Sequence, residues 1–368
     1  MEIITKDIEI PVLVTGVGGG STGEGIIKTL GISKTPYRIV AVDALPISFG
    51  FFDADSYCQV PPAGADDYLN KIFDICQKEK IKVIIPGSEP ELKKMSDNRQ
   101  LFKEKNILLL INNKEVIDLC MDKWKTYNFL KDNGFLCPDC VLAEKEEEIA
   151  DAFLAFENKL PVIIKPVKQG GASVNTFIAQ DKEEFIFFTH YLFKQGLQPL
   201  IQQYVGSPSE EYTVGVLSTF KGEFLGSIAL KRQILSGLSS KLKIKDRRPE
   251  TKNNILAVSS GYSQGTIDDY KDIRECAEKI AQKINSTGPI NIQGRNTEKG
   301  FYVFEINPRL SGTSIMRAMV GFNEIDTLIR RELYGEKVVS PIPFNKGIVP
   351  RGTREKYIPF DQLKNISL

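Results

Sequence analysis

The chain has 368 residues, 42% hydrophobic and 26% charged, with a formal net charge of +1. This length accommodates two or three domains with their own cores, and the near-neutral balance gives no electrostatic reason to expect a nucleic-acid or membrane partner. No apolar run approaches the roughly 18–20 residues that span a bilayer, and the mixed start MEIITKDIEI is unlike a secretory leader. A cytoplasmic protein is expected.

Six cysteines are scattered at 58, 76, 120, 137, 140 and 276, which is no disulfide framework. Cys137 and Cys140 form a C-P-D-C without a second pair at zinc-ligand spacing. The single histidine, His190, lies in the apolar stretch FFTHYLF and reads as a packed residue. Multi-histidine metal sites are therefore excluded, and chemistry has to come from carboxylates, lysines, arginines, amides and hard cations.

In chain order, strand patterns at 10–15, 37–42, 82–85 and 107–111 alternate with helical patterns at 23–30, 66–80 and 89–105. Strands spaced by such helices predict a parallel, Rossmann-like sheet over residues 1–112. Between the first strand and helix lies VTGVGGGSTGEG, six glycines in twelve residues. Backbone N–H groups of Gly18, Gly19, Gly20, Ser21 and Thr22, near a helix N-terminus, are candidates to receive an anion.

From 113 a long helix to 133 closes at Gly134. An acidic helix at 144–156, strands PVIIKP and VNTFIA joined by VKQGGAS, a helix at 182–195 and the strand LIQQYV form a small α+β module. Residues 113–205 make up this second part, with 140–205 as a lid. From 206 the pattern is antiparallel: EYTVGVLST and KGEFLGSIAL around a KG turn. The basic SGLSSKLKIKDRRPETKNN reads as a mobile loop. A helix at 267–285, the hairpin PINIQGR and GFYVFEIN, a helix at 314–334 and a weakly patterned tail complete the chain.

Side chains alternate faces along a strand. Glu305 and Asn307 therefore share one face, with Phe304 and Ile306 on the other. If the register is roughly symmetrical about the NTEKG turn, Gln293 lies close to Glu305 across the pair. One carboxylate and two amides then converge, all oxygen donors suited to Mg²⁺ or Mn²⁺. Arg309 follows, able to clamp a phosphate or oxyanion. Lys165 ends an apolar strand beside a glycine-rich loop, a placement suited to nucleotide phosphates, although no P-loop motif occurs.

These elements, in this order, resemble the ATP-grasp superfamily along nearly the whole chain. The motif Gln293…Glu305-Ile306-Asn307-Pro308-Arg309 carries the resemblance most specifically. It implies a mixed α/β fold: a Rossmann-like N-terminal domain, a small α+β lid and an antiparallel C-terminal part. It also implies two Mg²⁺ ions held by Gln293, Glu305 and Asn307, and ATP phosphates met by Lys123, Lys165 and Arg309. In QQYVG, made of Gln202, Gln203, Tyr204, Val205 and Gly206, backbone groups of Gln202 and Val205 would meet adenine, and Glu211 would hold the ribose. The implied activity is attack of a carboxylate on the ATP γ-phosphate, followed by displacement of phosphate by an amine or thiol, on small-molecule substrates. A homodimer stays open.

Within the superfamily the N-terminal VLVTGVGGGSTGEGIIKTL and the EINPRLSGTS hairpin look most like carbamoyl-phosphate-synthase large-subunit proteins. Those carry a second arginine three residues after the one in NPR, where this chain has Gly312, and they have two modules rather than one. A carboxylate–amine ligase, joining amino acids, is preferred over carboxyphosphate or carbamate kinase chemistry. Arg232 and Arg309 are candidates for the substrate carboxylate, with Ser311 and Gly312 nearby. Two rivals stand beside this reading. One is a non-catalytic ATP-binding protein of the same fold. The other is an NAD(P)-dependent oxidoreductase, suggested by the glycine-rich turn, Asp43 at the end of the next strand and a Tyr127-x-x-x-Lys131 pair.

Overall fold

A computed structural model describes residues 9–168, 173–251, 254–360 and 363. The glycines of the expected lid loop, at 170 and 171, lie outside the described residues.

The first unit contains β1 (Ile10–Thr15), α1 (Thr22–Gly31), β2 (Tyr37–Asp43), β3 (Ser56–Gln59), α2 (Tyr68–Lys78), β4 (Val83–Ile85), α3 (Glu89–Asp97), α4 (Arg99–Glu104) and β5 (Leu108–Leu109). Its five strands run parallel in the order β3-β2-β1-β4-β5. The strand order reverses at β1, so the crevice at the strands' carboxyl ends opens beside the glycine-rich turn. Two glycines there are sterically required. A Cβ at Gly23 would lie 2.3 Å from the Gly16 carbonyl, and one at Gly87 2.2 Å from that of Thr15. The expected helix over 89–105 is two helices, because Asn98 caps the second from a non-helical conformation.

The second unit follows with α5 (Lys114–Cys120), α6 (Lys123–Asp132), β6 (Cys140–Leu142), α7 (Ile149–Leu154), β7 (Val162–Pro166), β8 (Phe177–Ala179), α8 (Lys182–Lys194) and β9 (Pro199–Gln203). The expected continuous helix from 114 to 133 breaks at Met121. Asp122 is extended and its carboxylate accepts the N–H groups of Trp124 and Lys125, starting a new helix. Gly134, at φ +72, ends it. The antiparallel sheet runs β6-β9-β7-β8.

The third unit holds β10 (Glu211–Ser218), β11 (Phe224–Arg232), β12 (Ser240–Lys245), β13 (Ile255–Ser259), β14 (Gly265–Asp268), α9 (Lys271–Lys283), β15 (Pro289–Thr297), β16 (Gly300–Asn307), α10 (Ser314–Met319), α11 (Glu324–Tyr334) and β17 (Gly347–Val349). Six strands form one antiparallel sheet, β16-β15-β10-β11-β14-β17. Helices α1, α10 and α11 fill the space between one face of this sheet and the parallel sheet, while α5, α6 and α9 cover the other face.

The basic segment expected as a loop is a hairpin. β12 pairs with β13, Leu242 and Ile244 turn toward Tyr204 and Ile178, and Lys241, Lys243 and Lys245 face solvent. Period-two alternation was present in KLKIK and was masked by its charge. The single expected helix over 314–334 is likewise two, separated around Gly321 at φ +104. No helix among the described residues is long and apolar enough to cross a membrane.

Candidate active site

The expected hairpin register is present. Gln293 pairs with Glu305 and Asn291 with Asn307, about a two-residue turn whose flanks, Thr297 and Gly300, also pair. Directly beyond Gln293 the register shifts, because Gly294 pairs with Val303 and leaves Phe304 as the extra residue of a bulge. Phe304 therefore lines the cleft together with Glu305 and Asn307, contrary to simple alternation. Gln293, Glu305 and Asn307 thus present one carboxylate and two amides to the same cavity. Among the described residues no group of three or more His, Cys, Asp or Glu side chains is placed to hold a metal ion. The donor set suits a hard cation whose remaining ligands come from a phosphorylated substrate and water.

Across the cleft, Lys165 is buried on β7 and its Nζ donates to Gln202 Oε1 at 2.9 Å. Burial drives the Lys165 pKa down to about 8, with Lys123 adding to the shift and Glu305 opposing it. A poorly solvated ammonium aimed at a cavity is prepared for an anion. Lys123 stands at the start of α6 and lines the same cavity. Gln202 is paired on both sides, with Cys140 on β6 and Ile163 on β7, so its backbone groups belong to the sheet. Its side chain is turned to Lys165. The N–H groups of Gln203 and Tyr204 donate to Asp139 and Pro161 carbonyls. Val205 follows at the strand end, and all three line the cavity.

Glu211 is 1% exposed and both of its oxygens are engaged. Oε1 accepts Arg232 Nη1 at 2.9 Å; Oε2 accepts Arg295 Nε and Nη2, each at 3.1 Å. Glu211 is thus an ionic anchor for two buried guanidiniums, and it lines the cavity as well. Arg232 also donates to Ser259 Oγ at 2.8 Å, the Ser260 carbonyl at 2.7 Å and Gln293 Oε1 at 3.4 Å. Its two Nη groups meet protein acceptors while its buried Nε has no partner, and burial lowers its pKa against the pull of Glu211. Through Nη1, Arg232 also helps to position Gln293. Arg295, which the sequence reading passed over, lies over the Tyr204 ring at 4.5 Å and donates to the Val205 carbonyl at 3.2 Å. Its signal was available, since it sits two residues beyond Gln293 on the same strand face.

Arg309 leaves the end of β16 and reaches the parallel-sheet unit. Its Nη2 donates to Glu89 Oε1 at 3.0 Å and its Nη1 to Thr22 Oγ1 at 3.3 Å and to the Leu310 carbonyl at 3.0 Å. In the glycine-rich turn, Gly20, Ser21 and Thr22 line the cavity together with Ser311 and Gly312. Gly18 and Gly19 do not, since Cβ atoms there would point toward Asp43 and Phe49. The helix N-terminus is already occupied. Gly20 N–H donates to Glu24 Oε2 at 2.5 Å, and Ser21 Oγ accepts Glu24 N–H at 3.1 Å. Burial would raise the Glu24 pKa, but Lys28 and Gly20, with Arg351 more weakly, bring it below the usual value. Of the N–H groups expected to receive a substrate anion, that of Gly20 is taken by Glu24 and that of Ser21 by the Gly18 carbonyl. The Tyr127–Lys131 pair is a packing contact, with Tyr127 buried against Trp124 and Lys131 Nζ 5.7 Å from its ring centroid.

A family model described as a PylC-like N-terminal domain matches residues 12–110, and an ATP-grasp domain model matches residues 120–313, more than half of the chain. The chain belongs to the ATP-grasp family. Over 344 residues this ATP-grasp protein is 28% identical to the carbamoyl phosphate synthase large chain of Clostridium beijerinckii, an alignment covering 89% of this chain and 29% of the synthase. The chain thus spans under a third of that relative's length. Over 230 residues it is 28% identical to the D-alanine–D-alanine ligase of Thermotoga petrophila, covering 59% of this chain and 68% of the ligase. A similar solved structure is the biotin carboxylase domain of 2-oxoglutarate carboxylase from Hydrogenobacter thermophilus, in complex with MgADP, ADP and bicarbonate. It has a TM-score of 0.60 at 17% identity and covers 91% of this chain and 72% of that one. At that identity the likeness is one of fold.

Proposed function

We propose that this protein is an ATP- and Mg²⁺-dependent ligase that activates a small-molecule carboxylate and passes the acyl group to an amine. The observation that carries the reading is the register of Gln293 against Glu305, with Asn307 and Arg309 following, across the cleft from Lys165. Gln293, Glu305 and Asn307 would hold Mg²⁺ or Mn²⁺, two ions in the fullest form. Bound there, the metal would neutralise phosphate charge and align the γ-phosphate.

The chain's own groups divide the remaining work. Lys165 and Lys123 face the phosphates. The segment from Gln203 to Val205 edges the nucleotide cavity, braced by Arg295 from behind. Arg309 stands where a substrate carboxylate would approach the γ-phosphate, held by Glu89 and Thr22. A carboxylate oxygen attacks γ-phosphorus, the bond to the β–γ bridging oxygen breaks, and ADP leaves. The amine then attacks the acyl carbon, phosphate departs, and the amine's proton passes to solvent. No protein nucleophile is needed, and cationic side chains aimed at developing charge supply the catalysis. The D-alanine–D-alanine ligase among the relatives supports an amino-acid substrate.

The test is ADP release from MgATP on addition of paired amino acids and simple amines. Stimulation that needs both a carboxylate and an amine supports the ligase. ATP binding without stimulation by any pair supports a binding protein, and NADH displacing ATP contradicts the reading altogether.

A further inference from the structure

Four arginines near the cleft are paired with carboxylates: Arg232 and Arg295 with Glu211, Arg309 with Glu89, and Arg317 with Glu324. Arg351 is not. It comes from the chain's last segment, just after β17 has added itself to the edge of the six-stranded sheet beside β14. Its backbone N–H donates to Gln264 Oε1 at 3.2 Å, and its guanidinium lies over the Tyr262 ring, 4.5 Å from the centroid. Nη1 donates to the Gly312 carbonyl at 3.2 Å. Among the described residues no carboxylate lies within ion-pair distance of it.

Arg351 is thus a half-buried cation fixed by a ring and a backbone carbonyl; Glu24 feels its field, but among the described residues no carboxylate is bonded to its fork. Its neighbours Gly312 and Gly261 both line the cavity, and neither has a side chain to cover it. The segment beyond it crosses to the parallel-sheet unit. Arg354 and Lys356 pair with Asp53, and both lie against the Phe49 ring. Phe49 backs Gly19. The strap therefore holds Arg351 at the rim shared by Gly312 and the glycine-rich turn, away from the nucleotide end at Tyr204.

We infer that Arg351 binds a second anionic group of the substrates, the carboxylate of a carboxylate-bearing amine such as an α-amino acid. This rests on the ligase reading above. The reacting carboxylate must lie by Arg309 and the metal-binding hairpin, so a further cation at the rim selects an amine that keeps a free carboxylate. Such an amine would sit with its nitrogen toward the cleft and its carboxylate on the Arg351 fork.

The experiment compares amino acids with their carboxamides, alanine against alaninamide and glutamate against its α-amide, as amine donors in the ADP-release assay. The acids should be preferred by about tenfold or more, the worth of a charge-assisted hydrogen bond. Arg351→Gln should erase that preference through KM for the acid, with KM for ATP unchanged. Arg351→Lys should restore it in part. Arg354→Gln, on the same strap, should keep it. A preference that survives Arg351→Gln overturns the inference. Should no pair release ADP from the wild-type protein, calorimetry of the same acids and amides on protein with MgADP decides separately. Acid binding that Arg351→Gln abolishes upholds the role of Arg351 while the ligase reading falls; no acid binding, or equal binding to both proteins, overturns it.

Discussion

Arg232 and Glu211 meet at 2.9 Å with side chains 3% and 1% exposed, and Arg295 closes the triad from the other carboxylate oxygen. A buried carboxylate that compensates two guanidiniums cannot be removed without leaving both charges stranded. Glu211→Ala should destabilise the fold by about 3–5 kcal/mol in urea unfolding without nucleotide. The partly exposed Lys231–Glu210 pair alongside is a control, and Lys231→Ala should cost about 1 kcal/mol or less. Unchanged stability in Glu211→Ala, with only KM for ATP raised, would assign it the ribose role instead.

Lys165 predicts a pH limb. Its ammonium should bind phosphates, and in the free protein burial holds its pKa near 8 rather than 10.5. The protonated form is therefore lost as pH rises through about 8, and kcat/KM for ATP should fall on that side. Lys165→Arg should remove the limb, since guanidinium stays charged. The stability effect has the opposite sense. Below about 8 the group is charged in both states and penalises folding; that penalty lifts as pH rises from about 8 toward 10.5, because the unfolded chain holds the proton longer.

Arg309 bridges the hairpin to the parallel-sheet unit, so positioning and charge act together in it. Arg309→Ala should lower kcat by about 10²–10³, the scale of losing one preorganised donor to developing charge. ATP affinity should change far less. Comparable losses in kcat and in ATP affinity would place Arg309 at the nucleotide rather than at the transferring phosphoryl group.

Gly215 lies directly beneath Arg317, and a Cβ there would stand 2.2 Å from Arg317 Nη1. Arg317 is buried, paired with Glu324 and bonded to Asn291 Oδ1, and Asn291 pairs with Asn307 in the hairpin. Gly215→Ala should therefore destabilise by about 1–3 kcal/mol and also raise the Mg²⁺ concentration that ATP turnover requires. Normal metal dependence would confine this network to the core.

That Gln293 comes close to Glu305 was legible from the hairpin, but counted outward from Thr297 and Gly300 it would face Phe304, and the bulge moves it to Glu305. The bulge that turns Phe304 into the cleft was not legible, since nothing in GFYVFEIN marks one position as extra. The ion contacts of Glu211 and Arg232 were hidden for a shared reason. A strand pattern says that a charge faces the cleft, but its ion partner arrives from β15, eighty-four positions along the chain for Glu211 and Arg295. Glu24 differs, because S-T-G-E is a local capping pattern whose carboxylate turns back to take the Gly20 N–H. The β12–β13 hairpin was obscured by charge, and Arg351 by the weak pattern of the tail.

The central claim is that the oxygen donors on the hairpin organise metal-dependent use of ATP. Glu305→Gln tests it most directly, because the substitution keeps shape and removes the only carboxylate of the set. With MgATP and a productive carboxylate–amine pair, ADP release should fall by about 10²–10³, with an unchanged melting profile and a raised Mg²⁺ requirement. Undiminished ADP release at the same Mg²⁺ concentration would contradict the account.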